Sequence, residues 1–239
     1  MSLSKKVGIA SAVLIALVFG LVVAGRWATR SFFYPKPSKL PPTVSQTPDE
    51  LLARLQAVLE RRAPHISLSL QPGITDQRIR ELEIHGKFQL SEELRAMYRW
   101  HNGMTTNGSG ELIPMAWFLP LDRVVDERNA LNAQVESRTP AQRAAFNTFA
   151  GHTRTWVSIF PDGAGDGYYF DPERNSFFHH FAEVGSYHWF PSFRNFLAGV
   201  IECYESGAIF ATNGTNGLTL EQDFDKTEMI WNGFGAGNY

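Results

Sequence analysis

Residues 160–174, FPDGAGDGYYFDPER, hold four carboxylates, Asp162, Asp166, Asp171 and Glu173, among three glycines. Carboxylates at such spacing can ligate calcium, and glycine-rich turns can cradle phosphate. The calcium-loop template D-x-[DN]-x-[DN]-G-x₅-E is nearly met from Asp162: Asp166 falls at its fifth position, Gly167 at its sixth and Glu173 at its last. Ala164 brings no oxygen at the third position, and Pro172 stands where the template enters a helix. The flanks, TWVSIF and YYF, read as strands. The loop is therefore expected to be a hairpin turn whose Asp side chains accept backbone N–H groups. A phosphate cradle fails as well, because the chain has no G-x-x-x-x-G-K-[ST] and these carboxylates would repel phosphate.

Other reactive side chains give little. His179 and His180 are adjacent in a predicted strand, so they point to opposite faces and cannot readily share one metal ion. Neither H-E-x-x-H nor G-x-S-x-G occurs. Cys203 is the only cysteine, which excludes an internal disulfide, and it falls on a predicted helix face beside Tyr204 as a buried structural thiol. His101, at a predicted helix end, is placed to hydrogen-bond the last carbonyls. No catalytic residue, metal site or cofactor is expected. A hydrolase using Asp162, Asp166 or Asp171 stays open as an alternative.

These residues must be positioned by a globular unit. The chain is 44% hydrophobic and 19% charged with a formal net charge of −2, which excludes a disordered profile and gives no electrostatic footprint for nucleic acid. Thr47-Pro48-Asp49-Glu50 predicts a helix start, with Leu51, Leu52, Leu55, Val58 and Leu59 on one face. HISLSLQPG alternates at Ile66, Leu68 and Leu70 and predicts a short strand or extended link. A second helix is expected from about Thr75 to Gly86. A third begins at Ser91 and is ended by Asn102-Gly103. ELIPM and AWFLPL predict short strands. LDRVVDERNALNAQVE predicts a helix with Leu121, Val124, Val125, Arg128 and Leu131 inward. TWVSIF, GYYFDP and SFFHHF predict strands, and a helix from about Ser192 turns Phe193, Phe196, Leu197, Val200, Ile201 and Tyr204 inward. Beyond about Ala211 the chain is rich in Asn and Gly and reads as a tail, with Phe224 and Trp231 able to pack back. Helices first, then clustered strands, then a closing helix predict an α+β domain on a mostly antiparallel sheet.

Ahead of this domain, residues 7–25, VGIASAVLIALVFGLVVAG, carry no charge and span roughly 28 Å as a helix, enough to cross a bilayer. Residues 1–30 read as a single-pass anchor, with Arg26, Trp27 and Arg30 at its end. A cleaved signal peptide is the alternative, but its core is usually shorter. Lys and Arg counts on the two sides lean towards a cytoplasmic domain at the inner or plasma membrane. Residues 31–47 read as a Pro-rich linker, a semi-rigid spacer.

The run ITDQRIRELEIHGKFQLSEELRAMYRWHNGM closes a Leu-led helix on Tyr-x-x-His-Asn-Gly. It resembles the SUKH superfamily, which contains bacterial toxin-immunity proteins and yeast cell-wall assembly regulators. FLPLDRVVDE, FPDGAGDGYYFDP and FPSFRNFLAGVIE resemble further parts of that family, in the same order. The resemblance covers about residues 48–206 and assigns a SUKH-like domain to 48–210, followed by the Gly/Asn-rich tail 211–239. Ser91 departs from the family, which often has Pro there, but Ser is an adequate N-cap. The resemblance implies a non-catalytic domain that binds a protein, most often a toxin to be neutralised, without cofactor. It implies a partner-binding pocket lined by Trp100, Asn102 and Gly103 from the helix end, with Asp166 and Tyr168 from the glycine turn. A regulator or scaffold of envelope synthesis is the alternative by analogy with the yeast relatives.

Overall fold

The computed structural model describes residues 44–105, 111–140, 142, 156–181, 186–214 and 217–237. The predicted anchor at 7–25 and the linker up to residue 43 lie outside the described residues. No helix among the described residues is long and apolar enough to cross a membrane.

Helix α1 (Pro48–Arg62) starts as its sequence dictates. Thr47 N donates to Glu50 Oε2 at 2.7 Å and Glu50 N donates to Thr47 Oγ1 at 3.3 Å, a reciprocal capping box with Pro48 at the first position. Its five leucine and valine side chains are buried against two later helices, α4 (Glu92–Trp100) and α6 (Phe193–Ser206). Residues 64–69 correct the strand expectation: Pro64–Ser69 form a short helix, α2, leading into β1 (Leu70–Pro72). Ile66 is buried while Leu68 is 87% exposed, so the alternation does not define one buried face. Helix α3 (Asp76–Gly86) follows, capped by Thr75, and α4 follows, capped by Ser91.

Helix α4 stops at Trp100, and His101–Met104 is already strand β2, antiparallel to β1. Asn102-Gly103 thus lies inside a strand rather than capping a helix. His101 correspondingly turns away from the helix carbonyls: Nδ1 lies 2.7 Å from Gln71 O and Nε2 3.2 Å from Gln56 Oε1, tying β1 to α1. Two short strands, β3 (Glu111–Ile113) and β4 (Ala116–Trp117), precede helix α5 (Leu121–Glu136). On α5, Leu131 is 37% exposed and Val135 takes the inward place expected of it.

Strands β5 (Val157–Pro161), β6 (Gly167–Asp171), β7 (Ser176–Phe181) and β8 (Ser186–Phe190) form a sheet in sequential order, and every strand pairing among the described residues is antiparallel. One face meets α6: Phe196 lies 4.5 Å from Phe177, 5.0 Å from Tyr168 and 5.2 Å from Phe190 between ring centroids. The other face gathers Trp156, Tyr169, Phe178 and Trp189. His179 stacks on Tyr168 while His180 meets Trp156 and Tyr169, so the two histidines point to opposite faces as expected.

The predicted tail has structure. Strands β9 (Ile209–Gly214) and β10 (Gly217–Gln222) pair as a hairpin, and helix α7 (Phe224–Gly233) follows, capped by Asp223. Trp231 is buried and Phe224 is 70% exposed. Helix α6 is therefore not the last element: α7 packs on it.

Candidate functional site

Two small sheets and the four-stranded sheet are joined by single backbone bonds. Met104 N donates to Phe118 O at 2.9 Å, and Leu119 N donates to Ile159 O at 3.2 Å. The extended segment 118–119 thereby bridges β2 to β5. Along this seam lies a cleft of about 980 Å³. Gln71 and Pro72 of β1, Asn102 and Met104 of β2, the 117–120 segment, the first turns of α5 and the β5–β6 turn all line it.

Asn102 closes one wall. Pro120 precedes α5 without offering a side-chain cap, and Asn102 Oδ1 accepts from Leu121 N at 2.9 Å instead, satisfying one orphan amide from a distant strand. Gly103 lets the strand approach: its φ is +75°, and a Cβ there would stand 2.2 Å from Pro120 N. Trp117, also lining the cleft, is 41% exposed, and its ring rests on the β5–β6 turn, where a Cβ on Gly163 would come within 2.9 Å of Cζ3. Asp122, Arg123 and Glu127 of α5 complete the rim, with Arg123 Nη2 3.7 Å from Glu127 Oε1.

The glycine turn is a hairpin turn. Asp162 Oδ1 accepts from Ala164 N at 2.7 Å and Gly165 N at 3.0 Å, and Asp162 N donates to Asp166 O at 3.1 Å. Asp171 is buried at the far end of β6, where Oδ1 accepts from Glu173 N at 3.0 Å. Asp162 and Glu173 thus flank a five-residue strand, about 13 Å of extended chain, too far for one calcium loop. Oδ1 of Asp162 and of Asp171 thus serves backbone amides in a turn-building role, and Asp171 Oδ2 lies 3.9 Å from Arg174 Nε. Cys203 is buried, accepts from Trp231 Nε1 at 3.2 Å, and has its thiol pushed up to about 12, chiefly by burial. That is the structural thiol expected of it.

Of the five residues carried over by resemblance, Asn102 lines the cleft and Gly103 lies buried behind it. Trp100 is half-buried against the core, its ring 4.4 Å from that of His101, and is not among the lining residues. Asp166 sits in the glycine turn beyond the lining, and Tyr168 is buried between Phe196, His179 and Trp231. The glycine turn does reach the cleft, but through Pro161 and Gly163. Sequence reasoning read AWFLPL as a short strand and did not single out Trp117 as a cleft residue. The alternation Ala116 in, Trp117 out, Phe118 in was the available signal, since neighbours in extended chain face opposite ways.

The SMI1 / KNR4 family (SUKH-1) matches residues 73–199, more than half of the chain. That interval runs from just before α3 through the cleft and the four-stranded sheet into the middle of α6. No curated protein matches the chain.

Proposed function

The chain belongs to the SMI1 / KNR4 family (SUKH-1), and on that premise we propose that it is a membrane-anchored, non-catalytic immunity protein that binds a toxin domain and neutralises it. The observation that carries this reading is the cleft between β2, α5 and the glycine turn, with the half-exposed Trp117 on its wall. Aromatic side chains in such positions supply a large share of binding energy at protein interfaces. Occlusion alone inactivates a toxin, so the mechanism asks for no cofactor and no bond-making step. In this reading the segment 7–25 holds the domain at the inner membrane, on the cytoplasmic side, where an incoming toxin would emerge.

Co-expression of the full-length protein with a toxin encoded beside it tests the proposal. Protection of growth, lost in a folded Trp117→Ala variant, is the expected result. Absence of protection against every adjacent toxin overturns it. A change in envelope composition on deleting the gene, with neighbouring genes of envelope synthesis, would point instead to a scaffold of that machinery.

A further inference from the structure

The groups that line the cleft differ in how far the fold already uses them. Two polar wall atoms are engaged within the fold: Asn102 Oδ1 accepts from Leu121 N, and Gln71 Nε2 donates to Met104 O at 2.9 Å. The indole of Trp117 and the charges of α5 face outward, with Thr105 beside them. Among the described residues those charges are unbalanced. The lining residues include two carboxylates, Asp122 and Glu127, against one cation, Arg123, which already lies beside Glu127. The adjoining turn adds Asp162 and Asp166 without a basic residue. The Tyr169 hydroxyl, which donates to Gly165 O in that turn, is pushed up to about 12, chiefly by burial, with Asp162, Asp166 and Glu127 adding to the rise.

The carboxylates are spread along the cleft rather than gathered, and no group of side chains among the described residues is arranged to hold a metal ion. An exposed indole beside unbalanced carboxylates matches a different ligand chemistry. A guanidinium or ammonium group is attracted to the face of a tryptophan, and neighbouring carboxylates add to that attraction. We propose that the cleft takes a cationic stretch of a protein partner, seating an Arg or Lys side chain on Trp117 with Asp122 and Glu127 around it. This rests on the protein-binding reading above and names the chemistry of the bound face.

The probe is an alternating Arg-Gly peptide, with a matched Glu-Gly peptide as control. Full-length protein in neutral detergent, labelled with fluorotryptophan, reports each of its six tryptophans, and Trp117→Phe assigns the line of interest. The Trp117 line should shift saturably with the Arg peptide and not with the Glu peptide. Replacing Asp122 by Asn and Glu127 by Gln, with the melting temperature retained, should weaken the Arg peptide about tenfold, as should raising salt from about 50 to about 500 mM. An unmoved Trp117 line, equal shifts from both peptides, or unchanged affinity in the double variant overturns the proposal. A neutralised toxin that competes for Trp117 with the same affinity at both salt concentrations would also overturn it, while leaving the protein-binding reading intact. Failure of any toxin to bind would strike the earlier reading instead, since the peptide shifts do not depend on it.

Discussion

Glu83 shows how single residues hold this fold. It is nearly buried on α3, and its carboxylate meets Arg95 of α4 twice, Nε to Oε1 at 3.1 Å and Nη2 to Oε2 at 2.8 Å. Oε1 also accepts from Leu90 N at 2.7 Å, so one side chain closes both the α3–α4 turn and the helix pair. Desolvating a carboxylate is costly, and only this full set of partners offsets it. Glu83→Ala should therefore lower stability by about 3 kcal/mol, because it leaves the half-buried Arg95 guanidinium with only the outlying Glu92 carboxylate 4.0 Å away. Replacing both residues together with apolar side chains of similar size should recover a large part of that loss. Urea unfolding of the two variants, followed by circular dichroism, checks both statements. Equal losses would mean that the pair contributes through packing rather than through charge.

The elements show where local chemistry speaks and where it does not. Asn102 belongs to β2 yet caps α5, so Asn102→Ala should destabilise by about 1 kcal/mol and speed amide exchange selectively in the first turn of α5. Exchange that rises equally everywhere would contradict this capping role. Helices α1 and α6 are tied by a bidentate pair, Arg54 to Glu205, with Nε to Oε1 at 2.9 Å and a second contact through Nη2. The Arg54 hydrogen bond holds the Glu205 carboxyl below its ordinary 4.5. A lowered carboxyl contributes stability that is present above about pH 4.5 and is lost as pH falls through its folded value. The partners are 37% and 29% exposed, so solvent screening keeps the contribution below about 1 kcal/mol. In Glu205→Gln the melting temperature should fall less steeply between pH 5 and pH 3, roughly the window of carboxylate titration. Helix α1 was legible in the sequence because its cap, its proline and its apolar face all lie within a few residues. The glycine turn was legible for the same reason, since Asp162 serves amides two and three residues on. Residues 64–69 were not, because one buried Ile66 does not separate a short helix from an extended link. The cleft was least legible: its walls come from β1, β2, α5 and the β5–β6 turn, joined through single bonds at Phe118 and Leu119 that no local pattern encodes.

At the scale of the whole molecule, the segment after α6 decides whether the core is complete. Composition made residues 211–239 look like a tail, since Asn and Gly carry no apolar period. The hairpin and α7 nonetheless deliver one residue that matters, Trp231. Its ring lies 5.0 Å from Phe190, 5.4 Å from Tyr168 and 5.9 Å from Phe196, so it seals the aromatic layer between α6 and the sheet. Its indole N–H also covers the sulfur of Cys203. Removing a buried tryptophan costs about 3–5 kcal/mol, and ending the chain at Gly207 removes it together with all the surface β9, β10 and α7 cover. The thiol is a built-in reporter of that loss, because burial is what holds it near 12 and out of reach. In the intact protein at pH 8, Cys203 should resist a thiol-specific reagent until unfolding. In Trp231→Ala it should react measurably faster while the far-ultraviolet dichroism stays native. The chain ending at Gly207 should react at once and expose enough apolar surface to bind a hydrophobic dye. A truncated chain with a silent thiol and an unchanged melting temperature would show that the core is complete without its C-terminal elements, and that α7 serves something other than the fold.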